Sequence, residues 1–305
     1  MRLRTLLAAA LIGAVAPAVA AATPASAAPA QTAALASDSQ YEVKHTLAGG
    51  VGAALGDPSG SPPGVNVPCE LSAAHPRPVI LINGTFANMI DDWSGLGPTL
   101  ANDGYCVYSA AIGADPNHFI QTIGPVEDSV KQIGALVDRV RADTGAAKVD
   151  LVGHSQGGMI AEYYTKFYGR DKVSNVVGLS PSTHGTTLAG IARLAAFFPG
   201  AIDLVGSLCP ACKDQVYDSA LIAHLNDGPI AQPGVNYTVI ETHNELVVTP
   251  AGDAAFIDEP GVQNLWVQSY CWWDIVDHAS LSYDPIAWKL TKNALDPAHA
   301  VPVNC

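Results

Sequence analysis

A chain of 305 residues with 15 Lys and Arg against 28 Asp and Glu, a formal net charge of −13, is poorly suited to hold a nucleic acid or an anionic membrane surface. Only 14% of its residues are charged and 49% are hydrophobic, which excludes a disordered chain and leaves neutral ligands open.

The first 27 residues read as a secretory signal: Arg2 and Arg4, an apolar run from Leu6 to Ala16, then Pro17 and small residues ending Ala25-Ser26-Ala27. Cleavage is expected after Ala27, with Ala20 as the alternative site. The competing reading, a retained membrane anchor, requires a longer apolar run, and no later segment has one. Removing residues 1–27 takes the formal charge to −15 and leaves a length that suits one α/β domain. Export places all six cysteines in an oxidising compartment, so three disulfides are expected among 15 possible pairings. Cys209 and Cys212 in "LCPAC" also have the spacing of a redox or metal pair. No other ligand cluster matches it, and a local disulfide is preferred.

Residues 28–66, rich in Ala, Ser, Pro and Gly, read as a poorly structured N-terminal segment ahead of a domain at 67–305. Within that domain "RPVILING" and "GYCVYSA" are buried-strand runs. Val126, Val130, Ile133, Val137 and Val140 mark one helical face that stops at Gly145. The strand "KVDLVG" follows, then a helix from about Gln156, then strands "VSNVVGLS", "VNYTVIET" and "VQNLWVQ". This alternation predicts an α/β class with a mostly parallel sheet flanked by helices. Residues 186–233 interrupt it with a cap-like insertion. Its apolar Leu188, Ile191, Leu194 and Phe198 either cover the core or line an apolar pocket.

In "GHSQG", Gly153 and Gly157 flank Ser155 in the nucleophile-elbow pattern, between a predicted strand and a predicted helix. The pentapeptide alone is weak evidence, since packing glycines give the same string. A serine hydroxyl needs a base, and the base needs an orienting acid, in the chain order serine, acid, histidine. His278, just past the last strand run, is the candidate base; His154, His184, His243 and His299 fit less well. Glu245 in "VIETHNELVVTP" is the candidate acid, with Asp253 its main rival and Asp258 and Glu241 nearby. The Gln156 N–H, at a helix start, and the Thr85 N–H, in the loop after "VILING", are candidate oxyanion donors. Ile90 and Trp93 near that loop, with Leu188, Ile191 and Phe198, are expected to bind an apolar acyl chain. Asp91 and Asp92 are expected to brace their loop rather than hold an ion, so the expected metal is none.

The blocks "VILINGTFANMIDDW", "LVGHSQGGMIAEY", "SPSTHGTTLAG", "VIETHNELVVTP" and "IVDHASL" together resemble the secreted actinobacterial lipases of the class 2 type. They are also similar to the lipase B of Candida antarctica; both belong to the α/β-hydrolase superfamily. The resemblance implies that fold and hydrolysis of triacylglycerols or other carboxylic esters without an organic cofactor. It implies Ser155 as nucleophile, His278 as base and Thr85 with Gln156 as oxyanion donors. It further implies the pairs Cys69–Cys106, Cys209–Cys212 and Cys271–Cys305. Glu245 stands where such lipases usually carry aspartate. The expected protein is a secreted monomer acting on a lipid ester at an oil–water interface, without stable membrane insertion. A polyester or cutin hydrolase, or an acyltransferase, would share this machinery, and a non-catalytic binding domain would share only the fold.

Overall fold

Val79–Ile82 has no polar side because both of its faces are covered. This first strand, β1, sends Ile80 and Ile82 into one apolar cluster and Val79 and Leu81 into another. The computed structural model describes residues 40–205 and 208–305. Five more strands follow: β2 (Val107–Ser109), β3 (Val149–His154), β4 (Val173–Leu179), β5 (Asn236–Glu241) and β6 (Gln263–Trp266). All pair in parallel, in the order β2-β1-β3-β4-β5-β6. Each apolar run read as a strand contains one of them.

Helices fill the crossovers. Helix α1 (Leu47–Gly56) precedes the sheet, α2 (Met89–Trp93) and α3 (Leu96–Asn102) join β1 to β2, and α4 (Val126–Thr144) joins β2 to β3. Helix α5 (Gln156–Tyr164) leads towards β4, α6 (Leu188–Ala195), α7 (Pro210–Asp214) and α8 (Ala220–Leu225) lie between β4 and β5, and α9 (Pro285–Leu295) follows β6. The predicted stripe of α4 is buried, and Gly145 ends the helix in the left-handed region at φ 71°. Residues of α4 and α5 pack with Ile80 and Ile82, and residues of α3 and α9 with Val79 and Leu81. Strand order reverses between β1 and β3, so the loops leaving their carboxyl ends diverge and open a crevice.

The proposed signal lies outside the described residues. From residue 40 onward the expectation of a poorly structured segment to residue 66 is not met, because α1 stands there, capped by the Thr46 hydroxyl. Its composition misled because its small residues serve close packing: a Cβ on Gly50 would collide with the Tyr283 hydroxyl at 1.8 Å. All three disulfides, Cys69–Cys106, Cys209–Cys212 and Cys271–Cys305, are formed.

Glu162 on α5 is a buried carboxyl away from the crevice. Thr183 Oγ1 donates to its Oε1 at 3.0 Å, while Oε2 has no partner among the described residues. Burial pushes this carboxyl up to about 8 from an ordinary 4.5. As pH rises through that window the unfolded chain ionises and the folded chain does not, so stability drains away. Glu162→Gln is therefore expected to melt near wild type at the acid end and above it at the alkaline end. The margin there is on the order of 1–3 kcal/mol. Melting curves at the two ends check this, and parallel curves would refute it.

Candidate active site

Ser155 occupies the turn from β3 into α5 with φ 53° and ψ −122°, a left-handed conformation that a residue with a side chain reaches only under strain. The flanking glycines are dictated by backbone contact. A Cβ on Gly153 would lie 2.2 Å from the carbonyl carbon of Gly157, and one on Gly157 would lie 2.0 Å from the Ile82 carbonyl oxygen. The Ser155 N–H donates to the Leu179 carbonyl at 2.8 Å, which ties the turn to the end of β4. The loop after β1 lies against it, since a Cβ on Gly84 would sit 3.2 Å from the Ser155 Cβ.

The loops after β5 and β6 bring Glu245 and His278 together. His278 Nδ1 lies 2.7 Å from Glu245 Oε2. Glu245 Oε1 accepts the N–H groups of Val247 at 2.6 Å and Val248 at 2.8 Å. Burial acts to raise the Glu245 carboxyl, but the His278 ring and the two N–H donors outweigh it and bring the group down to about 2. With Nδ1 donating to a carboxylate, His278 Nε2 carries the lone pair. That nitrogen is buried and has no hydrogen-bond partner among the described residues. No hydrogen bond joins it to the Ser155 hydroxyl. Asp253 is exposed and lines a separate cavity with His184, Asn226 and Glu259.

Glu241, the last residue of β5, is buried behind this pair, and Ser180 Oγ donates to its Oε1 at 3.1 Å. Burial and the neighbouring Glu245 charge push its carboxyl well up, the opposite direction to that of Glu245.

Thr85 and Gln156, the two candidate oxyanion donors, are buried. Neither backbone N–H donates to another group among the described residues. Gln215, missed by the sequence reading, donates through Nε2 to the Thr85 hydroxyl at 2.8 Å and to the Ala211 carbonyl at 3.1 Å, while its Oε1 accepts from Ser182 at 3.1 Å. The Thr85 hydroxyl therefore accepts from Gln215 and has its own proton to give. The contact crosses 130 positions of sequence, and nothing local announces it.

An apolar cavity of about 360 Å³ opens at His278, walled by Ala196, Phe197, Leu246 and Val247 with Arg193, Asn244 and Asp277. The residues expected to bind substrate do not line this cavity. Trp93 is fully buried in the cluster that holds Val79 and Leu81, its ring N–H donating to Asn83 Oδ1 at 2.9 Å. Ile191 and Phe198 are core residues, with Phe198 packed near Phe86. Ile90 is also buried and Leu188 is exposed, and neither lines this cavity. The apolar stripe of α6 turns inward, while Arg193, Ala196 and Phe197 face the cavity.

Among the described residues, no group of three or more His, Cys, Asp or Glu is arranged to hold a metal ion. Asp91 closes a capping box with Asn88 at the start of α2. Asp92 accepts the Gly84 N–H at 2.7 Å and contacts His154.

Residues 76–279, more than half of the chain, match the family model described as "Lipase (class 2)". A triacylglycerol lipase of Burkholderia plantarii is 39% identical over 102 residues, covering 32% of this chain and 27% of the relative. One of Pseudarthrobacter phenanthrenivorans is 41% identical over 96 residues, covering 30% and 28%. The chain thus aligns with little more than a quarter of the length of these curated relatives. Among solved structures, Aspergillus fumigatus lipase B superposes with a TM-score of 0.57 at 20% identity, over 77% of this chain and 57% of that one. The mature form of Bacillus licheniformis lipase BlEst2 does so with a TM-score of 0.53 at 16% identity, over 77% and 99%. These likenesses show a shared α/β-hydrolase fold.

Proposed function

Because the chain belongs to the class 2 lipases, we propose that it is a secreted serine ester hydrolase, a triacylglycerol lipase that works through an acyl-enzyme. The observation that carries this reading is the 2.7 Å contact of His278 with Glu245, which leaves Nε2 without a partner among the described residues, on a residue that lines an apolar cavity. In the proposed reaction Ser155 Oγ attacks the ester carbonyl as its proton passes to His278 Nε2. Glu245 holds the ring and balances its charge. The carbonyl oxygen, now an alkoxide, takes hydrogen bonds from the Thr85 and Gln156 N–H groups and the Thr85 hydroxyl. Collapse expels the alcohol, which takes the proton from His278. Water, activated by the same ring, then releases the fatty acid. An organophosphonate is expected to label Ser155 stoichiometrically and to halt hydrolysis of p-nitrophenyl esters. Absence of both label and hydrolysis would sink the reading.

Secretion is supported by the N-terminal pattern and the three disulfides. No described helix is long and apolar enough to cross a membrane. The oil–water interface is assigned to the segment before His278. Trp272, Trp273 and Ile275 are 78%, 58% and 86% exposed, whereas the acids between and after them turn back on the backbone. Asp274 accepts the Val276 N–H and Asp277 the Ser280 N–H. The Cys271–Cys305 bond pins the base of the segment. Leu246 and Phe197, also exposed, continue the apolar surface at the cavity rim. Serine at 272, 273 and 275 together is expected to weaken adsorption to a neutral triglyceride emulsion by about tenfold or more. Turnover of a dissolved short-chain ester should stay within about twofold. Unchanged adsorption in a sedimentation assay would remove this segment from the interface.

A further inference from the structure

His154, one residue before Ser155, is buried and makes two polar contacts. Its Nδ1 lies 2.7 Å from Asp92 Oδ1, and its Nε2 lies 2.9 Å from the backbone carbonyl oxygen of His278. A carbonyl oxygen only accepts, so Nε2 carries a proton. The other oxygen of Asp92 accepts the N–H of Gly84, next to Thr85. One side-chain pair therefore touches the oxyanion loop, the strand end that carries the nucleophile and the loop that carries the base.

We propose that Asp92 and His154 form a buried ion pair that positions the catalytic group, fixing the Thr85 loop and His278 relative to Ser155. The inference rests on the hydrolase reading. Burial opposes a charged His154 ring, but the Asp92 carboxylate and the His278 carbonyl outweigh it and raise the proton affinity of the ring. The titratable groups that face His154 are Asp92 from α2, Glu245 from the loop after β5, and His278, whose ring centroid is 5.1 Å away. The pair has no site for substrate and acts only through the backbone of its neighbours.

Two isosteric variants separate the contacts. An asparagine amide nitrogen reaches the place of Nδ1, so His154→Asn keeps the Asp92 contact and loses the His278 one. A glutamine amide nitrogen reaches the place of Nε2, so His154→Gln does the reverse. With active sites counted by phosphonate titration, each variant is expected to lose tenfold or more in kcat per labelled serine, with KM for a dissolved ester within twofold. Both leave the Asp92 charge unopposed near His278, so the acid limb of the kcat/KM profile is expected to move to higher pH. A merely structural role would lower yield and melting temperature while leaving kcat per labelled serine and the acid limb in place, and that result overturns the proposal. In the wild-type protein, ¹⁵N-histidine spectra at neutral pH are expected to show both His154 nitrogens protonated. A neutral ring there overturns the ion pair even if both variants fail to fold. A wild-type chain that neither labels nor hydrolyses overturns the hydrolase reading itself, and this inference with it.

Discussion

Ser155→Ala is expected to lower ester turnover by about four orders of magnitude or more while leaving melting behaviour unchanged. The two halves of this expectation have separate causes. The hydroxyl makes no hydrogen bond to another described residue, whereas the backbone of residue 155 donates to Leu179 and accepts from Gly158 and Met159. Alanine keeps all of those contacts. It also keeps the Cβ, and with it the strain of φ 53°, so the free energy stored in the turn does not change. Ser155→Gly removes both the proposed nucleophile and the strain, and it is expected to be inactive yet more stable than the alanine variant by about 1 kcal/mol. The glycine variant thus reports on the turn and the alanine variant on the chemistry. Initial rates on a p-nitrophenyl ester, beside thermal melts of all three proteins, check both. Hydrolysis retained by the alanine variant would mean that another group attacks the ester.

Much of the fold was legible because its signals are local. A parallel strand covered on both faces must be a continuous apolar run, and Val79–Ile82 is one. The elbow is equally local, since Gly153 and Gly157 answer contacts made within the turn and with β1 beside it. Glu245 was legible only as a position a few residues past a strand. What separates it from Glu241 is three-dimensional: Glu241 ends β5 and is held by Ser180, while Glu245 turns towards His278. The wall of this cavity was not legible because periodicity finds the stripe that packs, and the packing stripe of α6 faces the core. Phe197 and Leu246 belong to no stripe. The Asp92–His154 contact joins residues 62 positions apart, and its residue types have no meaning until the loops are placed.

Glu245→Gln is expected to lower kcat by about three to four orders of magnitude, and the structure fixes the reason. Glu245 Oε1 is held by the N–H groups of Val247 and Val248, so a glutamine must place its amide oxygen there. Its NH₂ group then faces His278 Nδ1. A donor at that position requires Nδ1 to accept, which moves the ring proton to Nε2, where the proton of Ser155 should go. The proposed base is then present in the wrong tautomer. Glu245→Asp keeps the charge but is one methylene shorter, and cannot span from the two N–H donors to the ring without movement. It is expected to fall between wild type and glutamine. Asp253→Asn, away from the ring, is expected to stay within about twofold of wild type, and the opposite ranking would make Asp253 the acid. The carboxyl of Glu245 is held down near 2 from an ordinary 4.5, so its contribution to stability is complete above the unfolded value. It is lost as pH falls towards about 2. The melting temperatures of wild type and Glu245→Gln are therefore expected to differ most at neutral pH and to converge across that acid window. Convergence together with lost turnover would tie the depressed carboxyl and the catalytic acid to the same side chain, since a distant carboxylate could produce the first effect without the second.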